Sequence, residues 1–331
     1  MRYLVNPSTD PHFNMAFDQY CLEKLEGDHP VFYLWQNRPS VIIGLNQSAF
    51  AEVNLKYLED NGITLARRVT GGGAVYHDLG NLNYSVTGRA ADLDADCPGY
   101  LHLVCDALKE MGVDAGLSGR NDIMVDGKKC SGYAKRVWKD RLMVHGTLMF
   151  DVDFGNLVNA LAAPGSKVTA KGIASVRSRV TNLKDYLPEY RTIEEFKAAL
   201  HEKLCGTDGE AALPQGAIEE INSLADNKFR TWEWNIGKSP SSAFHTSGKF
   251  SCGTVEVSFD IRNGHLSGIH FGGDFLGNRP AEEIAARLEG CRFAADDILS
   301  VLNGSGQKEE AVENYFDGLS SNELKDLLLS L

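Results

Sequence analysis

Long apolar runs, paired cysteines and clustered histidines are all lacking in this 331-residue sequence. It contains no stretch of about 18 or more apolar residues, the length that a membrane-spanning helix needs. Residues 1–7 turn polar too early to begin a signal peptide. We therefore expect a cytoplasmic protein without a membrane segment.

The seven cysteines form no C-x-x-C pair, and their odd number leaves at least one unpaired in any monomeric disulfide scheme. Reduced, structural thiols are therefore expected. The nine histidines form no H-E-x-x-H or H-x-x-x-H cluster, so the sequence offers no zinc-binding pattern. We predict that no transition metal is tightly bound.

Positive charge is scarce, with 33 Lys and Arg against 45 Asp and Glu and a formal net charge of −12. Such a surface repels a polyanion, which argues against general nucleic-acid binding. Many of the cations nevertheless fall in the first 180 residues, which indicates an anionic ligand held in one pocket. They are Arg67, Arg68, Lys128, Lys129, Lys135, Arg136, Lys171, Arg177 and Arg179.

Short β-rich runs separated by turn residues occupy positions 31–90. They predict strands of one sheet, which we place at 31–35, 40–45, 64–69, 74–77 and 82–87. Apolar residues at helical spacing predict helices at 53–61 and 100–111.

Two dipeptides, Asp126-Gly127 and Asn263-Gly264, predict tight hairpins, because both central residues of a type I′ turn need a positive φ. The strands around them are predicted from 123, from 128, and at 142–150, 249–261 and 265–271.

Residues 206–243 are polar and irregular, and we interpret them as a linker. We predict a catalytic domain at 1–243, ending in this linker, and a small accessory domain at 244–331. Capping boxes begin one helix after Thr192 and another, the last of three in the accessory domain, after Ser320.

The segment richest in candidate binding residues runs from 67 to 78 and reads RRVTGGGAVYHD. Glycine lets the backbone approach a ligand, and exposed N–H groups beside guanidinium groups make a cradle for phosphate or carboxylate. A flexible loop is the alternative, although loops seldom need two arginines and three glycines together. Tyr76 breaks the G-x-G-x-x-G pattern, and Trp232 stands where a P-loop ending at 237–239 needs its first glycine. A nucleotide must therefore be bound in another way.

A second group of candidate residues is the run at 121–123, Asn-Asp-Ile, followed by KKCSGYA at 128–134. On a strand, Lys129 points opposite to its two neighbours, so one ammonium can face a pocket while the next lies in solvent. Gly132 and Ala134 open room beside the lysine. A solvated surface lysine is the common alternative at such a position.

These motifs resemble those of the lipoate-protein ligase A family. They are R-R-x-T-G-G-G-A-V-Y-H-D at 67–78, N-D-I at 121–123, K-x-S-G-x-A at 129–134 and KGIASVRSRVTNL at 171–183. Residues 232–235 and 272–275 are similar to elements of the family's linker and accessory domain. The resemblance implies an α+β fold of the biotin/lipoyl ligase type, with a mixed β-sheet catalytic domain and a small α+β carboxy-terminal domain.

The resemblance also implies roles for individual residues. Lys129 is the implied catalytic lysine, in contact with the acyl carboxyl group and the α-phosphate, and Asp122 is the candidate to assist with Mg²⁺. The implied ATP and adenylate contacts are Arg68, Gly73, Ala74, Val75, Tyr76, Asn121, Asp122 and Lys129. The implied lipoate pocket comprises Trp35, Arg67, Thr70, Gly71, Gly72, His77, Gly132 and Ala134. Val69 and Tyr133 depart from the family pattern, which concerns substrate fit and not the reaction.

By the same resemblance we expect activation of lipoate with ATP and Mg²⁺ to lipoyl-adenylate, followed by transfer to a lysine of an acceptor protein. The expected acceptors are lipoyl domains of 2-oxoacid dehydrogenase E2 subunits and the glycine-cleavage H protein. We expect a monomer, with neither nucleic acid nor membrane as a partner.

Two other functions are open at this point. A transferase of the same fold would carry octanoyl groups through a thioester on Cys130, although strand alternation turns Cys130 away from the face used by Lys129. A non-catalytic module that only holds lipoate is the other alternative.

We assign no catalytic role to four further side chains. We interpret His77 as a structural or ligand-orienting residue and not as a general base, and His145 as a packing residue. Arg177 and Arg179 are assigned to a loop that closes over the adenylate, because a mixed anhydride needs protection from water. The alternative, a nucleic-acid patch, is disfavoured by the net charge.

Overall fold

The computed structural model describes two compact units. The described residues are 2–25, 27, 29–90, 98–118, 122–161, 178–206, 209–239, 242–273, 275, 279–304 and 311–331. The first unit comprises the described parts of Met1–Leu45, Asn61–Leu161 and Val168–Thr231, and the second those of Asn46–Asp60 and Trp232–Leu331.

The strands of the first unit form two sheets. They are β1 (Arg2–Leu4), β2 (Val31–Trp35), β3 (Ser40–Ile43), β4 (Thr64–Arg67), β5 (Val75–His77), β6 (Asn81–Arg89), β7 (Ala115–Ser118), β8 (Asp122–Val125), β9 (Lys128–Trp138), β10 (Arg141–Met149) and β11 (Glu210–Ala211). The large mixed sheet has the order β11-β1-β2-β6-β10-β9-β8-β7, in which only the pairs of β1 are parallel. The small sheet has the order β4-β3-β5.

The prediction of a single sheet for residues 31–90 is wrong. The predicted strands are present, but β2 and β6 belong to the large sheet, whereas β3, β4 and β5 form the small one. Local alternation identifies a strand without identifying its partner, because pairing depends on packing between distant parts of the chain.

Ten described α-helices have four or more residues. They are α1 (Pro11–Glu23), α2 (Ala49–Glu52), α3 (Leu55–Asp60), α4 (Pro98–Glu110), α5 (Phe154–Ala160), α6 (Ile193–Cys205), α7 (Ala217–Leu224), α8 (Ala281–Leu288), α9 (Ala295–Asn303) and α10 (Ser321–Leu329). Two π-helical turns lie at Ala225–Phe229 and Glu233–Gly237. None of the helices in the described part of the chain is long and apolar enough to cross a membrane.

One face of the large sheet packs against α4 and α6 in the core of the first unit. Phe150, just after β10, stacks on Phe196 of α6 with ring centroids 4.7 Å apart. Both rings are fully buried, so truncating either one to alanine should cost about 3–5 kcal/mol. This packing leaves the opposite face of the sheet for the site described below.

Several local predictions are confirmed. Asp126 and Gly127 have φ of 49° and 72°, and Asn263 and Gly264 have φ of 50° and 75°, as type I′ hairpins require. The capping boxes that begin α6 and α10 are both present. The helices predicted at 53–61 and 100–111 are found with ends one or two residues away.

The second unit is a three-stranded antiparallel sheet with helices α2, α3, α8, α9 and α10. Its strands are β12 (Ser242–Phe250), β13 (Gly253–Arg262) and β14 (His265–Gly273). The prediction of one strand at 249–261 is wrong, because the chain turns at 251–252 and β12 pairs back on β13. With one mixed-sheet unit and one smaller unit, the α+β class expected from the sequence is confirmed.

Candidate active site

A cavity of about 130 Å³ lies in the first unit, with walls from both sheets, from α1 and from the glycine segment. Its lining residues are Met15, Trp35, Ile42, Arg68, Gly72, Gly73, Ala74, Val75, His77, Asn83, Lys129, Gly132, Tyr133, Ala134, His145, Gly146 and Thr147. Apolar groups dominate the wall and cations are few, a composition that suits a ligand with a hydrocarbon part and an anionic end.

The cavity brings together most of the binding residues predicted from the sequence. Those that line it are Trp35, Arg68, Gly72, Gly73, Ala74, Val75, His77, Lys129, Gly132 and Ala134. Arg67, Thr70, Gly71, Tyr76 and Asp122 are not among its lining residues. Asn121, Lys171 and Arg177 lie outside the described residues.

Two rows of side chains on the large sheet form the floor of the cavity. Trp35 pairs with Asn83, Asn83 pairs with Thr147, and the Thr147 hydroxyl accepts from the Gly132 N–H at 3.2 Å. A second row, two residues away on each strand, contains His145. Residues two apart on a strand share a face, so both rows lie on one side of the sheet.

A β-bulge on β9 places Lys129 on this floor. Regular alternation would put Lys129 on the face opposite to Gly132. Instead, Ile123 pairs with Ser131 and Met124 with Lys129, so that Cys130 is an extra residue. The bulge resets the alternation, and Lys129 and Gly132 both line the cavity. As predicted, Lys129 and Cys130 lie on opposite faces of the sheet. Strand alternation alone does not predict the bulge that places Lys129 on the cavity face.

Both the side chain and the backbone of Lys129 have partners. Its Nζ lies 2.8 Å from Oδ1 of Asp122, and the two side chains are 37% and 33% exposed. The Lys129 N–H donates to the Arg179 carbonyl at 2.8 Å, and the Lys129 carbonyl accepts from the Thr181 N–H at 3.0 Å. The ammonium is therefore held at the partly open end of the cavity.

Arg68 shapes the glycine segment from within. Its guanidinium donates to the carbonyls of Gly71 at 2.6 Å, Gly73 at 2.8 Å and Ile42 at 3.1 Å. Burial lowers the pKa of Arg68 to about 10, so the group is still charged at neutral pH. The positive charge in the cavity wall thus fixes the path of the loop that carries the glycines.

Arg67 is fully buried and is not among the lining residues of the cavity. Its guanidinium donates to the carbonyls of Gly44 at 3.0 Å and Leu45 at 3.2 Å. Burial lowers its pKa to about 10 as well. Arg67 therefore supports the segment that follows β3.

A buried hydrogen-bonded chain runs from Asp18 on α1 to Arg68. The Asp18 carboxylate accepts from His145 Nδ1 at 2.7 Å, and His145 Nε2 lies 2.8 Å from Thr70 Oγ1. The Thr70 hydroxyl in turn accepts from Arg68 Nε at 3.0 Å. A carboxylate only accepts, so His145 Nδ1 carries a proton and donates to Asp18. The interpretation of His145 as a packing residue is therefore wrong.

The other oxygen of Asp18 is also occupied. It accepts from the Tyr33 hydroxyl at 2.7 Å and from Ser85 Oγ at 3.1 Å. Ser85 Oγ accepts from Trp35 Nε1 at 2.9 Å. One carboxylate that is 1% exposed thereby orients two walls of the cavity.

The proton position on His77 follows from a series of amide contacts. Asn14 Nδ2 donates to the Gln36 carbonyl at 2.9 Å and to Asn37 Oδ1 at 2.8 Å, which fixes the Asn37 amide. Asn37 Nδ2 then donates to His77 Nδ1 at 3.0 Å, and the ring proton lies on Nε2. Burial, with the nearby Arg68 and His145, lowers the pKa of His77 to about 3, so the ring is neutral at physiological pH.

Cys130 has none of the features of a nucleophilic thiol. It is fully buried in the core cluster of the first unit, and its Sγ donates to the Ile123 carbonyl at 3.4 Å. Burial raises its pKa to about 12, whereas a reactive cysteine needs a thiolate near neutral pH.

Sequence reasoning missed several residues of the site. Asp18 and Met15 lie on α1, and Asn83 and Thr147 lie on strands of the floor. A buried aspartate within an apolar helix face is a signal that could have identified Asp18, because buried carboxylates need partners. Nothing in the local pattern marks Asn83 or Thr147, which become floor residues only through strand pairing.

Two family models match the chain. That of the lipoyl protein ligase A/B catalytic domain matches residues 10–205, and that of the bacterial lipoate protein ligase C-terminus matches residues 239–328. The chain is 37% identical over 325 residues to the lipoate-protein ligase LplJ of Bacillus subtilis (strain 168), which covers 96% of this chain and 97% of that protein.

Solved structures give the same result. A bipartite lipoate protein ligase from Thermoplasma acidophilum, from a study that includes its E2 lipoyl domain, is 32% identical with a TM-score of 0.65, over 72% of this chain and 97% of that chain. A lipoate-protein ligase A bound with ATP is 31% identical with a TM-score of 0.61, over 72% and 98%. The chain therefore belongs to the lipoate-protein ligase family.

Proposed function

We propose that this protein uses ATP to activate lipoate as lipoyl-adenylate and then transfers the lipoyl group to a lysine of an acceptor protein. The observation that carries the proposal is one cavity that combines a mainly apolar lining with Lys129 and the Arg68-centred glycine segment. Its relatives act on lipoate by name, and one of them is bound with ATP.

In the first step, the lipoate carboxylate attacks the α-phosphate of ATP and pyrophosphate leaves. Two anions at about 4 Å repel each other by about 4 kcal/mol at a protein surface, so cations at the meeting point lower the barrier. We assign Lys129 to the carboxyl group and the α-phosphate. Its Nζ is held 2.8 Å from Asp122, which keeps the ammonium at the cavity end that a nucleotide can reach.

We assign the nucleotide to the glycine segment and its surroundings. Gly73, Ala74, Val75 and Tyr76 would offer backbone groups to the adenine and adenylate, together with Asn121 and Asp122. Arg68 contributes charge to this wall while its N–H groups hold the loop carbonyls. The lipoate chain lies on the floor beside Trp35, with Gly72, His77, Gly132 and Ala134 around it.

One carboxylate at this site, that of Asp122, is suited to hold a magnesium ion. Mg²⁺ commonly takes one or two protein carboxylates together with phosphate oxygens and water. Asp122, next to Lys129, is the residue that would hold it, and the ion would neutralise charge on the phosphates. The described residues contain no cluster of three acidic, histidine or cysteine side chains, so its other ligands would come from ATP and water.

In the second step, the acceptor lysine attacks the acyl carbon of the adenylate and AMP leaves. This amine must be neutral, and the cationic site disfavours its charged form. His77 is unsuited to remove the proton, because its Nδ1 accepts from Asn37 and its pKa is about 3. The chain therefore contributes orientation and charge to this step.

The acceptors that we propose are lipoyl domains of 2-oxoacid dehydrogenase E2 subunits and the glycine-cleavage H protein. A related ligase was studied with its E2 lipoyl domain. The monomeric state, the cytoplasmic location and the domain limits 1–243 and 244–331 stay predictions from the sequence. So does the closing loop at Arg177, which lies outside the described residues.

The proposal is tested by lipoate-dependent release of pyrophosphate from MgATP, followed by the mass of an added lipoyl domain. We expect both pyrophosphate and the mass increment of one lipoyl group. Transfer from an acyl carrier protein without ATP would favour the cysteine transferase instead. Lipoate binding without any pyrophosphate would favour the non-catalytic module.

A further inference from the structure

Two buried polar side chains lie at the end of the cavity floor that is distant from Lys129. Asn83 is 1% and His77 is 3% exposed, and both line the cavity. Trp35 joins them, since it pairs with Asn83 across β2 and β6 and its ring lies edge-on to His77 at 6.2 Å. They form one corner of the site.

Strand spacing gives the distance across the sheet from this corner to β9, the strand that carries Lys129. The floor runs from β9 through β10 and β6 to β2. At about 4.8 Å per strand, Asn83 lies about 10 Å from β9, and Trp35 lies about 14 Å away. An extended eight-carbon chain spans about 9 Å, at roughly 1.3 Å per C–C bond. A fatty acid whose carboxylate meets the Lys129 ammonium is therefore long enough to cross the floor toward this corner.

Both corner residues present an N–H group. The contact from Asn37 to His77 Nδ1 leaves the proton on Nε2, and Asn83 Oδ1 accepts from Asn81 Nδ2 at 2.9 Å. Among the described residues, neither His77 Nε2 nor Asn83 Nδ2 has a hydrogen-bond partner. A buried donor without an acceptor is rare, because it costs free energy of folding. This points to a bound molecule that accepts hydrogen bonds from both groups.

We propose that His77 and Asn83 select lipoate over unbranched fatty acids by donating to the sulfur atoms of its dithiolane ring. This proposal rests on the proposed function. A disulfide sulfur is polarisable and accepts weak hydrogen bonds, whereas the methyl end of octanoate accepts none. Octanoate would displace water from two donors and leave both unsatisfied. A site that donates hydrogen bonds to its substrate discriminates against an analogue that lacks the acceptor. The difference in kcat/KM is then larger than a difference in shape alone would cause.

The first test uses the unmodified protein and three acids. Lipoate, octanoate and 5-cyclopentylpentanoate are compared in acid-dependent pyrophosphate release. The cyclopentyl acid keeps the five-membered ring but replaces both sulfur atoms with carbon. We expect kcat/KM for lipoate to exceed that for either other acid by about tenfold or more, mainly through KM, because the contacts form before the reaction.

Equal use of lipoate and the cyclopentyl acid would overturn the selection by sulfur, since shape would then explain the preference. Absence of pyrophosphate release with all three acids would instead overturn the proposed function. The two failures are therefore distinguishable.

The second test asks whether Asn83 and His77 cause the preference for lipoate. In Asn83→Leu we expect the ratio of kcat/KM for lipoate to that for octanoate to fall by at least about fivefold, with octanoate used better than before. Asn222→Leu, the same change at an exposed residue of α7 that does not line the cavity, should keep the ratio. A folded Asn83→Leu protein with the full preference would overturn the role of Asn83, and His77→Phe tests the second donor in the same way.

Discussion

His145 joins Asp18 on α1 to Thr70 just before the glycine run, with 2.7 Å from its Nδ1 to the carboxylate and 2.8 Å from its Nε2 to the hydroxyl. One imidazole thus connects a helix to the loop that we assign to the nucleotide. Since Thr70 also accepts from Arg68, these contacts link Asp18 to the Arg68 guanidinium. Asp18 is accordingly a positioning residue.

Asp18→Asn should impair both stability and turnover. An amide has one acceptor oxygen, so it can no longer accept from His145 on one side and from the Tyr33 and Ser85 hydroxyls on the other, and the network must rearrange. We expect the free energy of unfolding to fall by about 1–3 kcal/mol. Lipoate-dependent pyrophosphate release should fall about tenfold or more at a temperature where the variant is fully folded. A folded variant with unchanged kcat and KM would exclude the positioning role.

The pH dependence of stability should carry a contribution from His77. Its pKa is about 3 in the folded protein, below the value of about 6.5 in the unfolded chain. The unfolded chain therefore binds more protons in this window, so stability is full above pH 6.5 and is lost as the pH falls toward 3. His77→Gln should reduce this slope, which approaches about 1.4 kcal/mol per pH unit for one group.

Urea unfolding at pH 7, 6 and 5 measures the slope. The exposed His29 gives a control, because His29→Gln should leave the pH dependence as it is. His12 also has a pKa lowered by burial and keeps its own contribution in both variants. If His77→Gln and the unmodified protein lost stability in parallel, the buried neutral state of His77 would be excluded.

Cys130→Ala should retain ligase activity. The thiol packs in the core and donates to the Ile123 carbonyl, so its loss removes packing and no reacting group. We expect a loss of about 1 kcal/mol in unfolding free energy and pyrophosphate release within about twofold of the original rate. Complete loss of activity in the folded variant would instead support a transferase that forms a thioester on Cys130.

Gly44→Ala should displace the glycine segment. A Cβ at Gly44 would lie 2.1 Å from the Gly72 carbonyl oxygen, far inside contact distance. We expect KM for ATP or lipoate to rise by about tenfold or more, because the displaced loop no longer forms the wall of the cavity. Gly116→Ala on β7, where a Cβ meets nothing within 4 Å, is the control and should have no effect.

The sequence predicted what depends on neighbouring residues. The Asp126-Gly127 and Asn263-Gly264 turns follow from the need for positive φ, and both capping boxes follow from side chains three residues apart. The glycine segment was also identified, because consecutive glycines beside arginines have few structural uses. In each of these cases the cause lies within a few residues of its effect.

Features that depend on pairing between distant strands were not predicted. The bulge at Cys130 leaves no mark on β9 alone, although it decides which face Lys129 occupies. The division of residues 31–90 between two sheets is of the same kind. The role of Asp18 follows from contacts with residues 15 to 127 positions away, which no local pattern contains.

We propose that adenylation depends on the Lys129 ammonium. Losing a preorganised charge of this kind costs about 3 kcal/mol or more, which corresponds to at least about a hundredfold in rate. Lys128 precedes it on the same strand and does not line the cavity, so Lys128→Ala is the control.

The most direct measurement is the mass of a lipoyl domain incubated with lipoate, MgATP and each folded variant. We expect the full lipoyl increment with Lys128→Ala, and an increment that forms at least about a hundredfold more slowly with Lys129→Ala. Near-normal lipoylation by Lys129→Ala would contradict the assignment of the active site.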